Sequence, residues 1–146
     1  FIYPVSHNLY IMAKAELFKH KFLAKMFKRY NVFPVDRTKR DPKSLFYCLE
    51  IFNTSEHREL LIFPEGGILK KGELIGSKVR NGATFVSAKM NIPIVPVYIT
   101  RLPKVFSRVN VVFGKPIFIP NYILDDKKEL KCKSKELIDT IYNLNI

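Results

Sequence analysis

The sequence predicts an α/β fold, a mostly parallel central sheet flanked by helices. Three observations predict it. Short apolar runs alternate along the chain with segments of helical apolar period. The run Leu60-Leu61-Ile62-Phe63 ends at once in Pro64-Glu65-Gly66-Gly67, as a buried strand does when it opens into a loop. The run Pro93-Ile94-Val95-Pro96-Val97-Tyr98-Ile99 is rich in Val and Ile, the signature of a strand buried on both faces.

Taken in order, residues 9–13 read as a first strand. Residues 16–30 place Leu17, Phe18, Phe22, Leu23, Met26, Phe27 and Tyr30 at three- and four-residue steps, which predicts one helix. Residues 32–35 form a second strand. Asp41-Pro42 combines an acidic N-cap with proline at the first helical position, and Leu45, Phe46, Leu49 and Phe52 give the helix that follows an apolar face. Residues 60–63 are the third strand, and 79–90 a helix despite Gly82. Residues 94–99 and 109–113 are strands, the latter closed by Gly114 and Pro116, and this last pair is free to depart from parallel. Asp125 or Asp126 caps a final helix that runs to about Asn143.

The 146 residues suit a single domain over 1–146 with a sizeable core, and a 47% hydrophobic content excludes a disordered chain. The net charge of +12, from 25 basic and 13 acidic residues, implies an anionic partner: nucleic acid, an anionic membrane surface or a phosphorylated substrate. Cys48 and Cys132 stand far apart, and the three histidines are scattered, so there is no zinc pattern and no metal is expected. Two lone thiols fit a reducing compartment. No apolar run approaches the ~20 residues needed to span a bilayer, and the first residues lack the basic region before an apolar core that marks a signal peptide. The first residue is Phe1, which reads as a fragment or a processed chain.

In open α/β sheets, ligands bind outside the carboxyl ends of the strands. Glu65 stands there, after the third strand. Phe33-Pro34-Val35-Asp36-Arg37 repeats the pattern after the second, and an arginine at a strand end offers a rigid fork of donors suited to phosphate oxygens. Taken singly, Glu65 on a surface loop and an Asp36/Arg37 ion pair are the bland alternatives.

Together and in this order, Phe33 to Arg37, Phe63-Pro64-Glu65-Gly66 and Ile94 to Ile99 resemble the PlsC family of glycerolipid acyltransferases, the 1-acylglycerol-3-phosphate acyltransferases. Ala13-Lys14-Ala15-Glu16-Leu17-Phe18 looks like the lysine-bearing stretch that precedes the family's acid–arginine block. The resemblance runs from about Tyr10 to Pro116. It implies a glycerol-3-phosphate acyltransferase-like fold. The implied reaction is transfer of a fatty acyl group from a thioester of coenzyme A or acyl carrier protein to the sn-2 hydroxyl of lysophosphatidate. The thioester is a substrate, and no cofactor is implied. The implied partners are a lysophospholipid acceptor, the thioester donor and a membrane surface on its cytoplasmic face, with no nucleic acid.

The chain departs from the family pattern twice. No acid stands five residues after His7, His20 or His57, where Met12, Lys25 and Ile62 are found, so the family's His-x-x-x-x-Asp pair is expected upstream of Phe1. Gly67-Ile68 also replaces the family's Thr-Arg, whose arginine is implicated in holding phosphate. Lys70, Lys71, Lys78 and Arg80 follow closely and can supply that charge, or else form a solvated basic face. Site residues carried by the resemblance are Glu65 and Gly66, which shape the catalytic site, and Lys14, Arg37, Lys78 and Arg80, which meet the phosphate. Amides of the Gly66-Gly67 turn are candidates for stabilising the oxyanion.

The helix over 16–30 carries Lys19, Lys21, Lys25, Lys28 and Arg29 opposite Leu17, Phe18, Phe22 and Phe27, which suits either an anionic lipid surface or plain core packing. Two other functions stay open. A non-catalytic phospholipid- or acyl-binding relative accounts for the missing His–Asp pair. A basic nucleic-acid-binding domain accounts for the charge, although no recognition motif supports it.

Overall fold

The computed structural model describes residues 8–36, 41–54, 57–67, 78–100 and 109–145. Two compact units make up the chain, Phe1–Phe63 and Pro64–Ile146. The fold is α/β, with a parallel sheet, as the alternation of elements predicts.

The first unit holds β1 (Leu9–Lys14), α1 (Lys21–Arg29), β2 (Val32–Val35), α2 (Pro42–Asn53) and β3 (Glu59–Leu61). The sheet order is β2-β1-β3, and both pairings are parallel, with Ile11 opposite Val32 on one side and Leu61 on the other. Parallel neighbours require crossovers, which α1 and α2 supply. The order places β1 at the centre and puts consecutive strands on its two sides. That is the topological switch point at which α/β sheets open a crevice beyond their strand ends. Lys14 is the last residue of β1.

The helix expected over 16–30 is broken. Residues Ala15–Lys19 form a 3₁₀ turn, His20 adopts an extended conformation (φ −84°, ψ 113°), and α1 starts only at Lys21. Apolar period alone could not show the break, because the 3₁₀ turn and α1 still put Phe18 against Phe27, with ring centroids 5.0 Å apart. Phe22, expected on the apolar side, is 81% exposed.

The predicted start of α2 is as expected. Asp41 is its N-cap and accepts from the Ser44 amide at 3.1 Å, while the Asp36 amide donates to its other oxygen at 3.0 Å. Its buried face is a correction, however. Ser44, Cys48 and Ile51 are buried, Leu45, Leu49 and Phe52 are half-buried, and Phe46 lies exposed. Ser44 is accepted on the buried side because its hydroxyl donates to the Pro34 carbonyl at 3.2 Å, and Phe33 of β2 meets Tyr47 edge-on at 4.8 Å. Burial pushes the Cys48 thiol up to about 11, so it acts as a small core hydrophobe.

The Asp41 cap gives a first testable outcome. Its carboxyl is held below the ordinary value, first by the Ser44 hydroxyl and next by the Asp36 amide. A depressed folded-state value means the stabilisation is complete above the unfolded value and is lost as pH falls through the folded one. Asp41→Ala is expected to cost about 1 kcal/mol at neutral pH. In denaturant unfolding, part of the wild-type loss of stability below about pH 4 should be absent from Asp41→Ala.

The second unit holds α3 (Gly82–Met90), β4 (Val97–Ile99), β5 (Val111–Phe113) and α4 (Lys127–Tyr142), with a 3₁₀ turn at Asn121–Leu124. β4 and β5 pair antiparallel, and Ile94 bridges Ile117 in the same sense. The strand expected over 94–99 is therefore shorter than the apolar run and is not buried on both faces: Val95 is 45% and Ile99 49% exposed. The apolar composition is satisfied in part by Pro96, which is fully buried, and by Ile94 packing against the core of Ala88, Ile119, Ile123 and Leu130. Helix α3 ends on Asn91 in the left-handed region (φ 52°), a residue type that tolerates it. Asp126 caps α4 by accepting from the amides of Lys128 and Glu129. Thr84 of α3 and Ser134 of α4 are both buried and hydrogen-bond at 2.6 Å, which satisfies two hydroxyls between the helices.

Candidate active site

The segment after β3 carries the densest geometry. Pro64 and Glu65 form a turn, and Gly66 follows with φ +69°, the left-handed region that glycine enters at no steric cost. The turn is closed by the Arg80 amide, which donates to the Pro64 carbonyl at 2.9 Å. The Arg80 side chain lies across Gly66, because a Cβ there would stand 2.9 Å from Arg80 Cγ and 3.3 Å from Nε. Any larger residue at 66 would meet both the backbone restriction and that side chain. Gly67 is exposed, and a Cβ there meets nothing within 4 Å.

Glu65 is half-buried, and its carboxylate accepts from the Tyr142 hydroxyl at 2.7 Å. Tyr142 is the last residue of α4 and is itself half-buried, with its ring edge-on to Tyr98 at 5.9 Å. Burial, and then the adjacent carboxylate, push the Tyr142 phenol up to about 12. The phenol thus stays a donor at neutral pH and holds one carboxylate oxygen in a fixed direction.

The predicted residues fall as follows. Glu65, Gly66 and Arg80 come together on this turn, and Lys78 stands exposed two residues before Arg80. Lys14, at the carboxyl end of β1 in the first unit, is half-exposed and forms an ion pair with Glu16. Arg37, Lys70, Lys71 and His7 lie outside the described residues. His20 is exposed at the break before α1, and His57 is exposed with φ 63°. Among the described residues, no group of three His, Cys, Asp or Glu side chains is placed to hold a metal ion.

Tyr142 was not legible as a site residue. It is 77 positions from Glu65, and in the sequence it is one of several apolar residues near the end of a helix. The signal that finds it is a buried-side phenol meeting a carboxylate, which exists only in three dimensions.

No curated protein and no solved structure matches the chain. A sequence model described as Acyltransferase matches residues 2–100, a span holding Lys14, the Asp36-Arg37 pair, the Glu65-Gly66 turn and the run 94–99. With more than half of the chain matched and the carboxylate turn inside the matched span, this protein belongs to the acyltransferase family.

Proposed function

We propose that the protein esterifies the sn-2 hydroxyl of lysophosphatidate with a fatty acyl group, drawn from a thioester of coenzyme A or acyl carrier protein, at the cytoplasmic face of a membrane. One observation supports this reading most: the Glu65 carboxylate, aimed by Tyr142 at 2.7 Å, on a glycine turn tightened against Arg80. A carboxylate held in this way suits orienting work in a polar site better than solvation on a loose loop.

In the proposed reaction a histidine oriented by an aspartate, the pair that the family pattern implies, takes the proton from the acceptor hydroxyl. The oxygen attacks the thioester carbonyl, and the tetrahedral intermediate collapses with cleavage of the carbon–sulfur bond. The histidine returns its proton to the departing sulfur. Phosphatidate and a free thiol result. Glu65 orients the reacting groups, and the open space at Gly67 gives the acyl carbonyl room to approach the backbone. Lys14, Arg37, Lys78 and Arg80 are assigned to the acceptor phosphate, where cations are worth most beside a dianionic group.

The test is turnover of lysophosphatidate and a long-chain acyl thioester by full-length protein, with phosphatidate and thiol measured together. Equal yields of both are expected. Absence of phosphatidate with either donor would refute the proposed reaction. Arg80→Ala is expected to raise KM for the acceptor about tenfold and to leave kcat nearly unchanged, since a phosphate contact made throughout the reaction contributes to ground state and transition state alike. An unchanged KM would remove Arg80 from the phosphate site.

A second reading has one observation in its favour. No histidine in the chain has an acid five residues on, so the chain by itself carries no base–orienter pair of the family's spacing. A phospholipid- or acyl-binding relative would then retain the anion-binding residues without turnover. Saturable binding of lysophosphatidate by full-length protein, with no product, would establish it.

A further inference from the structure

Helix α1 follows the extended His20, and its packed side is narrow. Leu23, Ala24 and Phe27 are half-buried, and Phe18 covers Phe27. The rest of the helix faces solvent. Phe22, Met26 and Tyr30, four residues apart, form a stripe along one border of that face and are 81%, 38% and 40% exposed. Beside the stripe the exposed arc carries Lys21, Lys25, Lys28 and Arg29, and Lys19 precedes it in the 3₁₀ turn. Between Glu16 and Asp36 the sequence holds no acidic residue, and Glu16 itself is paired with Lys14.

A lone exposed phenylalanine is ordinary on a protein surface. A row of apolar and aromatic side chains beside four cations with no acid among them is a different composition. It matches the two layers of an anionic lipid interface: phosphates in the headgroup plane, and acyl chains a few ångströms below it. Lysine and arginine stems reach up to the phosphates while Phe22 and Met26 enter the apolar boundary, and a tyrosine ring suits the boundary itself. A protein partner for this face would need an acidic, apolar groove. A bilayer needs no complementary shape.

We infer that the solvent face of α1 is a docking surface for an anionic phospholipid bilayer, with Phe22 and Met26 as the inserted residues and Lys21, Lys25, Lys28 and Arg29 as the headgroup contacts. The reaction proposed above gives this binding its purpose, since its acceptor is a membrane lipid, and the inference rests on that reading only to this extent.

The experiment is co-sedimentation of the chain with large vesicles of phosphatidylcholine, with and without phosphatidylglycerol at about one lipid in three, a content in the range that makes cytoplasmic leaflets strongly negative. The expected result is binding to the anionic vesicles, little binding to the neutral ones, and a loss of about tenfold in affinity for Phe22→Ser. A comparable loss is expected for the pair Lys25→Glu and Arg29→Glu, whose effect should shrink in high salt. All substituted positions are exposed, and unchanged far-ultraviolet circular dichroism would show that the variants are folded. Equal binding to both vesicle types, wild-type affinity in the variants, or no vesicle binding at all would overturn the inference. So would tight, salt-dependent binding of an oligonucleotide duplex by the same face in the absence of vesicle binding. Turnover of a water-soluble, short-chain acceptor by unsubstituted full-length protein distinguishes the two proposals. Vesicle binding without that turnover counts against the reaction alone, and turnover without vesicle binding counts against the docking surface alone.

Discussion

Glu65→Ala is expected to lower kcat for acyl transfer at least about a hundredfold, close to 3 kcal/mol of transition-state stabilisation. The substitution removes a half-buried carboxylate and leaves the Tyr142 hydroxyl without its acceptor. Glu65→Gln keeps an oxygen for that hydroxyl but removes the charge. It thus separates orientation from electrostatics, and an intermediate loss is expected. Tyr142→Phe keeps the ring and its edge contact with Tyr98 while deleting only the hydroxyl. If the phenol acts by aiming Glu65, the loss from Tyr142→Phe should fall on kcat and should nearly vanish in a Glu65→Ala background, because residues in one hydrogen-bonded pair are not additive. Full turnover by Glu65→Ala, folded by circular dichroism, would dismiss the site.

Ile138→Ala carries the largest expected effect on stability. Ile138 is 1% exposed on α4, beside Leu137 and one turn beyond the buried Ser134. Deleting its three outer carbons removes buried apolar surface and leaves a cavity that a helix pinned by the Thr84–Ser134 hydrogen bond cannot close by shifting. A loss of about 3 kcal/mol is expected, a large share of the roughly 5–15 kcal/mol of a typical domain, with the melting temperature falling by about 10 °C. Denaturant unfolding followed by circular dichroism measures it, and a change below about 1 kcal/mol would show that the site collapses freely. The same helix ends in Tyr142, so Ile138→Ala should also reduce activity near its lowered melting temperature and leave activity in the cold nearly intact.

Much of the fold could be read without coordinates because the signals are local. Asp41 followed by Pro42, and Asp126 before an apolar period, mark helix starts within a few residues, since a cap is satisfied by amides two or three positions on. The strands at 9–14 and 32–35 lie where short apolar runs meet turn residues. The errors have a common cause. Apolar period reports which residues prefer to leave water, and it does not report which neighbour removes them from it. So Phe46 and Phe22 carried the pattern yet stand exposed, while Ser44 and Thr84 are buried because hydrogen-bond partners accept them there. The run 94–99 has the composition of a central parallel strand, yet among the described residues it pairs with one antiparallel neighbour.

By itself, then, the sequence determined the class of fold, the order of its elements, the caps of α2 and α4, and a carboxylate on a glycine turn within an acyltransferase-like pattern. All of these depend on residues within a few positions of one another. Tertiary structure alone decided that β1 is the central strand of its sheet, that α1 begins after a break and turns Phe22 outward, and that Tyr142 reaches Glu65. Contacts between distant positions arise from the competition of whole faces for burial and of donors for acceptors. That competition is resolved only when every element is in place.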